Sequence, residues 1–553
     1  MSPPGRPKGE YRSAQHEGTS VSEHPWPRVA LRHERHFGDR VLRCFAERPP
    51  HLPALFAQAE AQDPGGEALV DGERRWTWAA LREQGARLAL GLRQAGVAPG
   101  DRVVLLAPNR AEFVIAAQAV LRLGAVLVPV SMREAGPGIA FILNQCRAAL
   151  VIADPAMALL VPPALADGQP LRRVVLPGAG SAPDWLPWET LFDRDAGGFL
   201  DAAPAEDDAA VILYTSGTTG APKGAVLTHL NLIHSVLHYR HGLGLRAGER
   251  GLLAVPASHV TGLVALVLAM AGVAGAVVLL AEFKAAASLA LVARERVSYT
   301  LMVPAMYALW LREPLADTDL SSLRLAGFGG APMAPATIAG LRENCPGIRL
   351  FNAYGSTETA SPATMTPPGS ERLVPVGRPL PCADILVMDD EGREVPTGTP
   401  GEVWIAGPMV VPRYWDNPKA TADSFVAGYW KSGDIGTLDD DGFLRVHDRK
   451  KDMINRGGYK VFSVEVENCL LGHPAVQEAA TVGVPCPVLG ERIHAFVYAP
   501  GLKDAEGLRE ELTQRCRSEL ADYKTPDFWT WLSEPLPRNA NGKVMKRSLR
   551  ERA

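Results

Sequence analysis

The segment Tyr214-Thr215-Ser216-Gly217-Thr218-Thr219-Gly220-Ala221-Pro222-Lys223-Gly224 is the most informative part of this chain. It follows the apolar run Ala209–Leu213, which predicts a buried strand, and it contains three glycines within eight residues. Glycine permits positive φ angles, so such a loop can direct several backbone N–H groups at one anion. Four hydroxyl groups and the ammonium of Lys223 add donors, and together they favour a polyphosphate site over a Gly/Thr-rich surface turn. The loop is not a Walker A motif, because Gly224 rather than Ser or Thr follows the lysine.

Length and composition predict a folded protein of more than one domain. The 553 residues exceed one ordinary hydrophobic core, and 47% apolar with 21% charged residues argues against extensive disorder. The formal net charge of −4 gives no reason to expect nucleic acid or an anionic membrane as partner. The seven cysteines are scattered without a C-x-x-C pair, which favours reduced thiols and a cytoplasmic location over disulfides or a zinc site.

Apolar runs alternate with helix-like segments along most of the chain. Asp101–Leu106, Glu112–Leu123 and Ala125–Val130 are one example, and this rhythm predicts α/β architecture with largely parallel sheets. The charged run from His447 to Asp452 predicts a linker between a large and a small domain. We divide the chain into an N-terminal extension (1–50, with about the first twenty residues a mobile tail), a large domain (51–448), a hinge (449–452) and a small domain (453–553).

One stretch, Gly262–Ala281, is long and apolar enough to be mistaken for a membrane span. The alternative is a buried helix up to about Met270, a turn at Gly272 and Gly275, and a buried strand at Ala276–Leu280. No cluster of basic residues flanks the stretch, so we favour the second interpretation and expect no stable membrane span.

Five motifs together resemble the adenylate-forming superfamily, which contains acyl-CoA synthetases, the adenylation domains of peptide synthetases, and luciferases. The loop at 214–224 resembles its signature, and the resemblance extends roughly from His51 to Arg550. The other four motifs occur in the family's order: NAYGSTE at 352–358, YWKSGD at 429–434, RKKDMINRGGYKVFSVE at 449–465, and PRNANGK at 537–543. The resemblance implies a large N-terminal domain of two packed α/β sheets plus a small distorted β-barrel, followed by a small mobile α+β C-terminal domain.

The resemblance also implies a set of nucleotide contacts. Asp434 would accept hydrogen bonds from the ribose hydroxyls, with Arg449 assisting. The remaining cofactor-binding residues are the loop residues Thr215, Ser216, Gly217, Thr218, Thr219, Gly220 and Lys223, the adenine-lining residues Gly330, Ala331 and Pro332, and Tyr354, Gly355, Gly457 and Gly458.

Glu358 is the predicted metal ligand. A carboxylate beside a phosphate site suits Mg²⁺, which prefers one or two carboxylates together with phosphate oxygens. A helix-capping role is the alternative for the residue taken alone. The resemblance implies the metal role for Glu358 and a nucleotide contact for Thr357.

Lys543 is the predicted catalytic residue of the small domain. Taken alone, a lysine in the turn Asn541-Gly542-Lys543 would be a solvated surface side chain. The resemblance implies that its charge bridges the substrate carboxylate and the α-phosphate, where a cation stabilises the transition state more than the ground state. Lys451 matches the hinge, about which the small domain would rotate so that Gly457 and Gly458 shape a channel for a thiol.

Other residues bear on the acid. Gly355 stands where acetate-specific relatives carry a tryptophan, so we expect an acid larger than acetate, a medium- or long-chain fatty acid or an aryl acid. Ala257-Ser258-His259 offers no carboxylate for an α-ammonium, which argues against an amino acid. His259 matches a pocket residue of several relatives, and we favour packing over acid–base work. Ser463 stands where many relatives carry proline, a departure that we expect to affect packing rather than chemistry.

The reaction implied uses ATP, Mg²⁺ and coenzyme A to convert a carboxylic acid into its thioester through an acyl-adenylate. The chain ends ten residues after Lys543, so we expect no fused carrier domain and favour coenzyme A as acceptor. Three alternatives remain: an acyl-AMP ligase loading a free-standing carrier protein, a luciferase-like oxygenase, and a non-catalytic nucleotide- or acyl-binding protein. A homodimer is left open.

Overall fold

The computed structural model describes residues 25–180, 182–193, 195–215, 222–538 and 544–553. Its α-helices are α1 (Leu52–Gln62), α2 (Trp78–Gln94), α3 (Ala111–Arg122), α4 (Gly136–Gln145), α5 (His229–Leu243), α6 (Ala269–Ala271), α7 (Ala285–Arg294), α8 (Pro304–Trp310), α9 (Pro335–Asn344), α10 (Pro418–Ser424), α11 (Ser463–Leu471), α12 (Ala505–Glu519) and α13 (Lys546–Arg550).

The strands up to residue 365 are β1 (Leu31–His36), β2 (Arg40–Phe45), β3 (Glu67–Asp71), β4 (Arg74–Thr77), β5 (Arg102–Leu106), β6 (Val126–Pro129), β7 (Leu150–Ala153), β8 (Arg172–Val175), β9 (Leu186–Pro187), β10 (Ala209–Thr215), β11 (Lys223–Thr228), β12 (Arg250–Leu253), β13 (Ala276–Leu279), β14 (Tyr299–Met302), β15 (Leu325–Gly329), β16 (Arg349–Ser356) and β17 (Ser361–Met365). Those that follow are β18 (Arg378–Pro379), β19 (Asp384–Met388), β20 (Gly401–Ala406), β21 (Phe425–Val426), β22 (Tyr429–Leu438), β23 (Leu444–Arg449), β24 (Ile454–Arg456), β25 (Tyr459–Val461), β26 (Glu478–Cys486), β27 (Gly490–Tyr498) and β28 (Phe528–Leu532).

Two large sheets form the body of the N-terminal part. One has the strand order β11-β10-β6-β5-β7-β8-β9 and is parallel except for the β10–β11 pair. The other has the order β18-β17-β16-β15-β14-β12-β13-β3-β4, with parallel pairing from β16 to β3. One continuous apolar core joins them, and α3 is buried along its whole length, as expected where helices cover parallel strands. The predicted α/β architecture is confirmed.

A third sheet is antiparallel and stands where the resemblance implies a small barrel. Its order is β19-β20-β22-β21, with β23 paired to β22. β23 ends at Arg449 and leads into the small domain, in which β24 to β28 form one further sheet. This domain has its own apolar core, which includes Ile454, Val466, Ile493 and Leu512.

The described part of the predicted N-terminal extension packs on the large domain. β1 and β2 form a hairpin, and Phe45 at its end is buried in the main core. The Trp26 indole N–H donates to the carbonyl of Pro379 over 2.7 Å, and the Phe45 N–H donates to His234 Nε2 over 3.2 Å. The mobile tail that we predict at the N-terminus lies outside the described residues.

The apolar stretch Gly262–Ala281 divides into a buried helix and a buried strand. A π-helical segment, Thr261–Leu268, continues into α6, and β13 lies between β12 and β3 in the nine-stranded sheet. Gly262 is required at the start, because a Cβ there would lie 2.2 Å from the carbonyl oxygen of Pro256. Throughout the described ranges, no helix is both long and apolar enough to cross a membrane.

Candidate active site

The signature loop connects the antiparallel strands β10 and β11. Thr215 and Lys223 face each other across this hairpin, and the Thr215 hydroxyl donates to the Lys223 carbonyl over 3.4 Å. The Lys223 ammonium lies 5.3 Å from the centre of the Tyr414 ring. The structure therefore positions both ends of the loop at one sheet edge, while the predicted contacts Ser216, Gly217, Thr218, Thr219 and Gly220 lie outside the described residues.

Glu358 lies just beyond the carboxyl end of β16, in the single 3₁₀ turn Thr357–Thr359. The Ser356 hydroxyl caps this turn by accepting from the Glu358 N–H at 3.0 Å, and it donates to Glu358 Oε2 at 2.8 Å. The Tyr414 hydroxyl donates to Glu358 Oε1 at 2.8 Å. Burial and the neighbouring Glu358 charge raise the pKa of the Tyr414 phenol, so it remains a donor at neutral pH.

The donor set around Glu358 suits a cation. Glu358 is 8% exposed, and among the described residues its two side-chain hydrogen-bond partners are neutral hydroxyls rather than a lysine or arginine. Each carboxylate oxygen keeps a lone pair for a metal, and carboxylate oxygen is the ligand type that Mg²⁺ prefers. Glu358 could therefore hold Mg²⁺ with its orientation already set by two hydroxyl groups. Thr357, next to it, is also buried.

A second carboxylate, Asp434 on β22, lies between two of the predicted nucleotide residues. Tyr354 donates to its Oδ2 over 2.6 Å, and Arg449 Nε lies 2.7 Å from its Oδ1. Register explains the second contact, because Asp434 and Arg449 are direct partners across β22 and β23. The Asp434 charge raises the pKa of the Arg449 guanidinium, and burial followed by the same charge raises the pKa of the Tyr354 phenol. Three side chains from separate motifs thus form one cluster.

The glycine segment after β15 leaves an open surface beside this cluster. Gly330 has a φ of +75° and nothing within 4 Å of an added Cβ, and Ala331 and Pro332 are exposed. β15 pairs with β16 so closely that a Cβ on Gly329 would lie 2.4 Å from the carbonyl of Ala353. A flat base could approach the backbone here, as the resemblance implies.

Gly355 has a structural role that the sequence argument missed. A Cβ at this position would lie 1.8 Å from the Ser361 carbonyl oxygen, where the β16–β17 register shifts. Glycine is required by this close backbone approach. The expectation of a larger acid therefore depends less on Gly355 than the sequence suggested.

His259 is half-buried just before the π-helical segment. Its Nδ1 lies 3.2 Å from the Thr261 hydroxyl and accepts from the Thr261 N–H at 3.3 Å. These contacts fit the packing role that we favour for this side chain. Tyr414 is a candidate site residue that the sequence did not indicate, because no spacing rule relates it to Glu358, 56 positions away.

The hinge and the small domain carry the remaining predicted residues. Gly457 and Gly458 form the β24–β25 turn with φ of +60° and +86°, and the Gly457 N–H donates to the Leu489 carbonyl over 2.7 Å. Lys451 lies in the turn after β23, and its carbonyl accepts from Arg550 at 3.0 Å. Lys543 lies outside the described residues, so its catalytic role stays a prediction.

Comparison with known proteins identifies the family. The model of the AMP-binding enzyme family matches residues 55–415, and that of the AMP-binding enzyme C-terminal domain matches residues 465–543. A feruloyl-CoA synthase of Amycolatopsis sp is 37% identical over 88% of this chain and 96% of that protein. A fatty acid–[acyl-carrier-protein] ligase of Streptomyces coeruleorubidus is 33% identical over 90% of this chain and 95% of its own length.

A solved structure is also similar to this chain over most of its length. An anthranilate CoA ligase in complex with anthranoyl-AMP superposes with a TM-score of 0.85 at 27% identity, covering 91% of this chain and 97% of that one. The motifs, the two-domain match and these relatives confirm the resemblance drawn from the sequence. The chain belongs to the AMP-binding enzyme family, within the adenylate-forming superfamily.

Proposed function

We propose that this protein is an ATP-dependent acid–CoA ligase. In the first half-reaction the carboxylate attacks the α-phosphorus of ATP, so that a C–O–P bond forms and pyrophosphate leaves. In the second, a thiol attacks the acyl carbon, and AMP leaves with the C–O bond electrons. The observation that carries the proposal is the pair of buried carboxylates, Glu358 and Asp434, in a chain from this family. Glu358 accepts from Tyr414, whose ring lies beside Lys223 at the end of the signature loop, and Asp434 pairs with Arg449.

The large domain supplies binding and orientation for adenylation. Asp434 accepts from the ribose hydroxyls, while Lys223 and the loop neutralise phosphate charge. Glu358 would hold Mg²⁺, which would supply positive charge to the phosphate groups. Lys543 supplies the cation at the α-phosphate, where charge accumulates as the bond to pyrophosphate breaks.

The small domain serves the second step. It rotates about Lys451, which withdraws Lys543 and brings the Gly457-Gly458 turn to the acyl-adenylate. A thiol with a pKa near 8.5 is a few per cent thiolate at neutral pH, so the proton can pass to solvent without a dedicated base.

The acid is aromatic or a fatty acid, and coenzyme A is the acceptor. Relatives named for ferulate, anthranilate and fatty acids support this range, and two of the three are named for coenzyme A. The relative named for a carrier protein keeps that acceptor as the alternative. Seven free cysteines support a reducing, cytoplasmic location.

The test is a substrate panel with both acceptors. AMP and pyrophosphate release would be measured with MgATP, acids from acetate to palmitate, benzoate, cinnamate and ferulate, and either coenzyme A or a phosphopantetheinylated carrier protein. We expect turnover that depends on coenzyme A with a larger or aromatic acid. Turnover with the carrier protein alone would favour the acyl-AMP ligase, and no adenylation of any acid would contradict the proposal.

A further inference from the structure

Ser463 connects the two sides of the predicted hinge through its backbone. It is the first residue of α11 in the small domain, and it is fully buried. Its N–H donates to Oδ2 of Asp448, which lies on β23 on the large-domain side of the hinge. Asp448 is 4% exposed, and its Oδ1 accepts from the Arg449 N–H at 2.7 Å. A buried carboxylate of one domain thus depends on an N–H of the other.

A second contact crosses the hinge beside the first. The His447 ring stacks on Phe462 with centroids 4.9 Å apart and planes 17° apart. Phe462 is the N-cap residue of α11 and precedes Ser463. Both contacts join adjacent residues of β23 to the N-cap and the first residue of α11, so rotation about Lys451 must break them together.

The Ser463 side chain extends the connection to the segment that contains Lys543. Its hydroxyl accepts from the ammonium of Lys546, three positions after Lys543, and Lys546 also pairs with Glu467 at 2.7 Å. The backbone hydrogen bond of Ser463 therefore depends on domain orientation, while its hydroxyl contacts the C-terminal segment.

In the orientation held by these contacts, the turn that is predicted to shape the thiol channel is exposed to solvent. Gly457 and Gly458 are exposed, Tyr459 is 60% exposed, and a Cβ on Gly458 would meet nothing within 4 Å. The turn therefore does not line the acyl site in this orientation.

We propose that the Ser463 N–H to Asp448 hydrogen bond is a latch that holds the small domain in this orientation and breaks before thiol transfer. The inference rests on the two-step function proposed above. The donor satisfies a buried charge, and leaving a buried carboxylate oxygen without its donor is costly. The latch should bias the balance between the two orientations by roughly 5- to 30-fold.

One substitution removes the latch together with the hydroxyl contact to Lys546, and a control removes the hydroxyl contact alone. Ser463→Pro deletes the N–H at the first position of a helix, where proline is well tolerated and no intrahelical bond is lost. Phe462 has φ −81° and ψ 118°, within reach of the extended conformation that precedes proline. Ser463→Ala removes the hydroxyl contact with Lys546 but keeps the N–H.

Domain orientation can be measured without turnover. Six of the seven cysteines are buried, and Cys486 on β26 is the partly exposed one, so it can carry one spin label. Leu159→Cys, at a large-domain position that is 94% exposed, carries the other label. We expect one dominant distance in the parent protein and in Ser463→Ala, and a second population enriched roughly 5- to 30-fold in Ser463→Pro. Identical distance distributions in all three would overturn the latch.

The half-reactions distinguish this proposal from the function it rests on. Pyrophosphate release reports adenylation, and thioester formation from synthetic acyl-adenylate reports transfer. In Ser463→Pro the ratio of transfer to adenylation should rise by the same factor. An equal effect in Ser463→Ala would assign it to the Lys546 contact instead. Failure of the ligase function would abolish turnover in the parent protein, whereas the label distances would still test the latch.

Discussion

The nucleotide site and the hinge each contain a buried carboxylate, but the donors come from different places. Glu358 accepts hydrogen bonds from Ser356 and Tyr414. Both donors lie on the large domain, so these hydrogen bonds do not depend on the orientation of the small domain. Asp448 accepts a hydrogen bond from the backbone N–H of Ser463, which lies on the other side of the hinge. Two carboxylates of similar burial therefore have opposite consequences. The first is held rigid, as a site needs to be, and the second is satisfied in one domain orientation.

Replacing Lys543 should have the largest effect on activity among the substitutions that follow. Lys543→Ala should slow adenylation on the order of 10²–10³-fold, because a positioned cation is lost from the transition state. Transfer from synthetic acyl-adenylate should change little, since that step uses the other orientation. Pyrophosphate release and thioester formation are the measurements, with the exposed small-domain lysine Lys503 mutated to Ala as control. Equal loss in both steps would contradict a role confined to adenylation.

Tyr414→Phe tests whether Glu358 is oriented by a hydrogen bond from its own domain. Without the phenol, one carboxylate oxygen loses its donor, and Mg²⁺ affinity should fall about 10–100-fold. The Mg²⁺ dependence of adenylation would be measured at saturating acid. Tyr429→Phe is the matched control, because that phenol donates to a different carboxylate, Asp384. Unchanged Mg²⁺ activation in Tyr414→Phe would show that the hydrogen bond does not position the metal ligand.

A smaller effect concerns acid stability of the large domain. Burial lowers the pKa of His229 and His234 to about 3 and lowers the pKa of His238 well below its usual value. These rings stay neutral when folded but bind protons when unfolded, so their stabilisation is complete above about pH 6.5 and is lost as pH falls toward 3. His229 and His234 each contribute a slope of about 1.4 kcal/mol per pH unit in that window.

His238→Leu tests this slope. Neither ring nitrogen of His238 has a hydrogen-bond partner among the described residues, so leucine removes the titration without breaking a bond. The free energy of unfolding of the large domain should depend less on pH below about pH 6.5, by up to about 1.4 kcal/mol per pH unit. The exposed His33, replaced by Leu, is the control. An unchanged slope would mean that His238 does not titrate between the two states.

The features that could be predicted from the sequence are those encoded in contiguous segments of the chain. The alternation of apolar runs predicted the α/β architecture, because burial on both faces of a parallel strand demands a continuous apolar run. The apolar stretch at 262–281 was correctly divided into helix and strand for the same reason. The loop at 214–224 and four further motifs identified the family, since groups that bind phosphate and ribose are concentrated in short segments that recur in a fixed order.

Tertiary structure alone decided which distant groups support those motifs. No residue spacing relates Tyr414 to Glu358 or Ser463 to Asp448, because these contacts depend on how a sheet and a helix pack after the chain has turned. Gly355 is a similar case, where the sequence suggested an open pocket and the structure shows a backbone approach that excludes any side chain. Short segments of sequence determine which reactive and binding groups are present, whereas long-range packing determines how those groups are oriented.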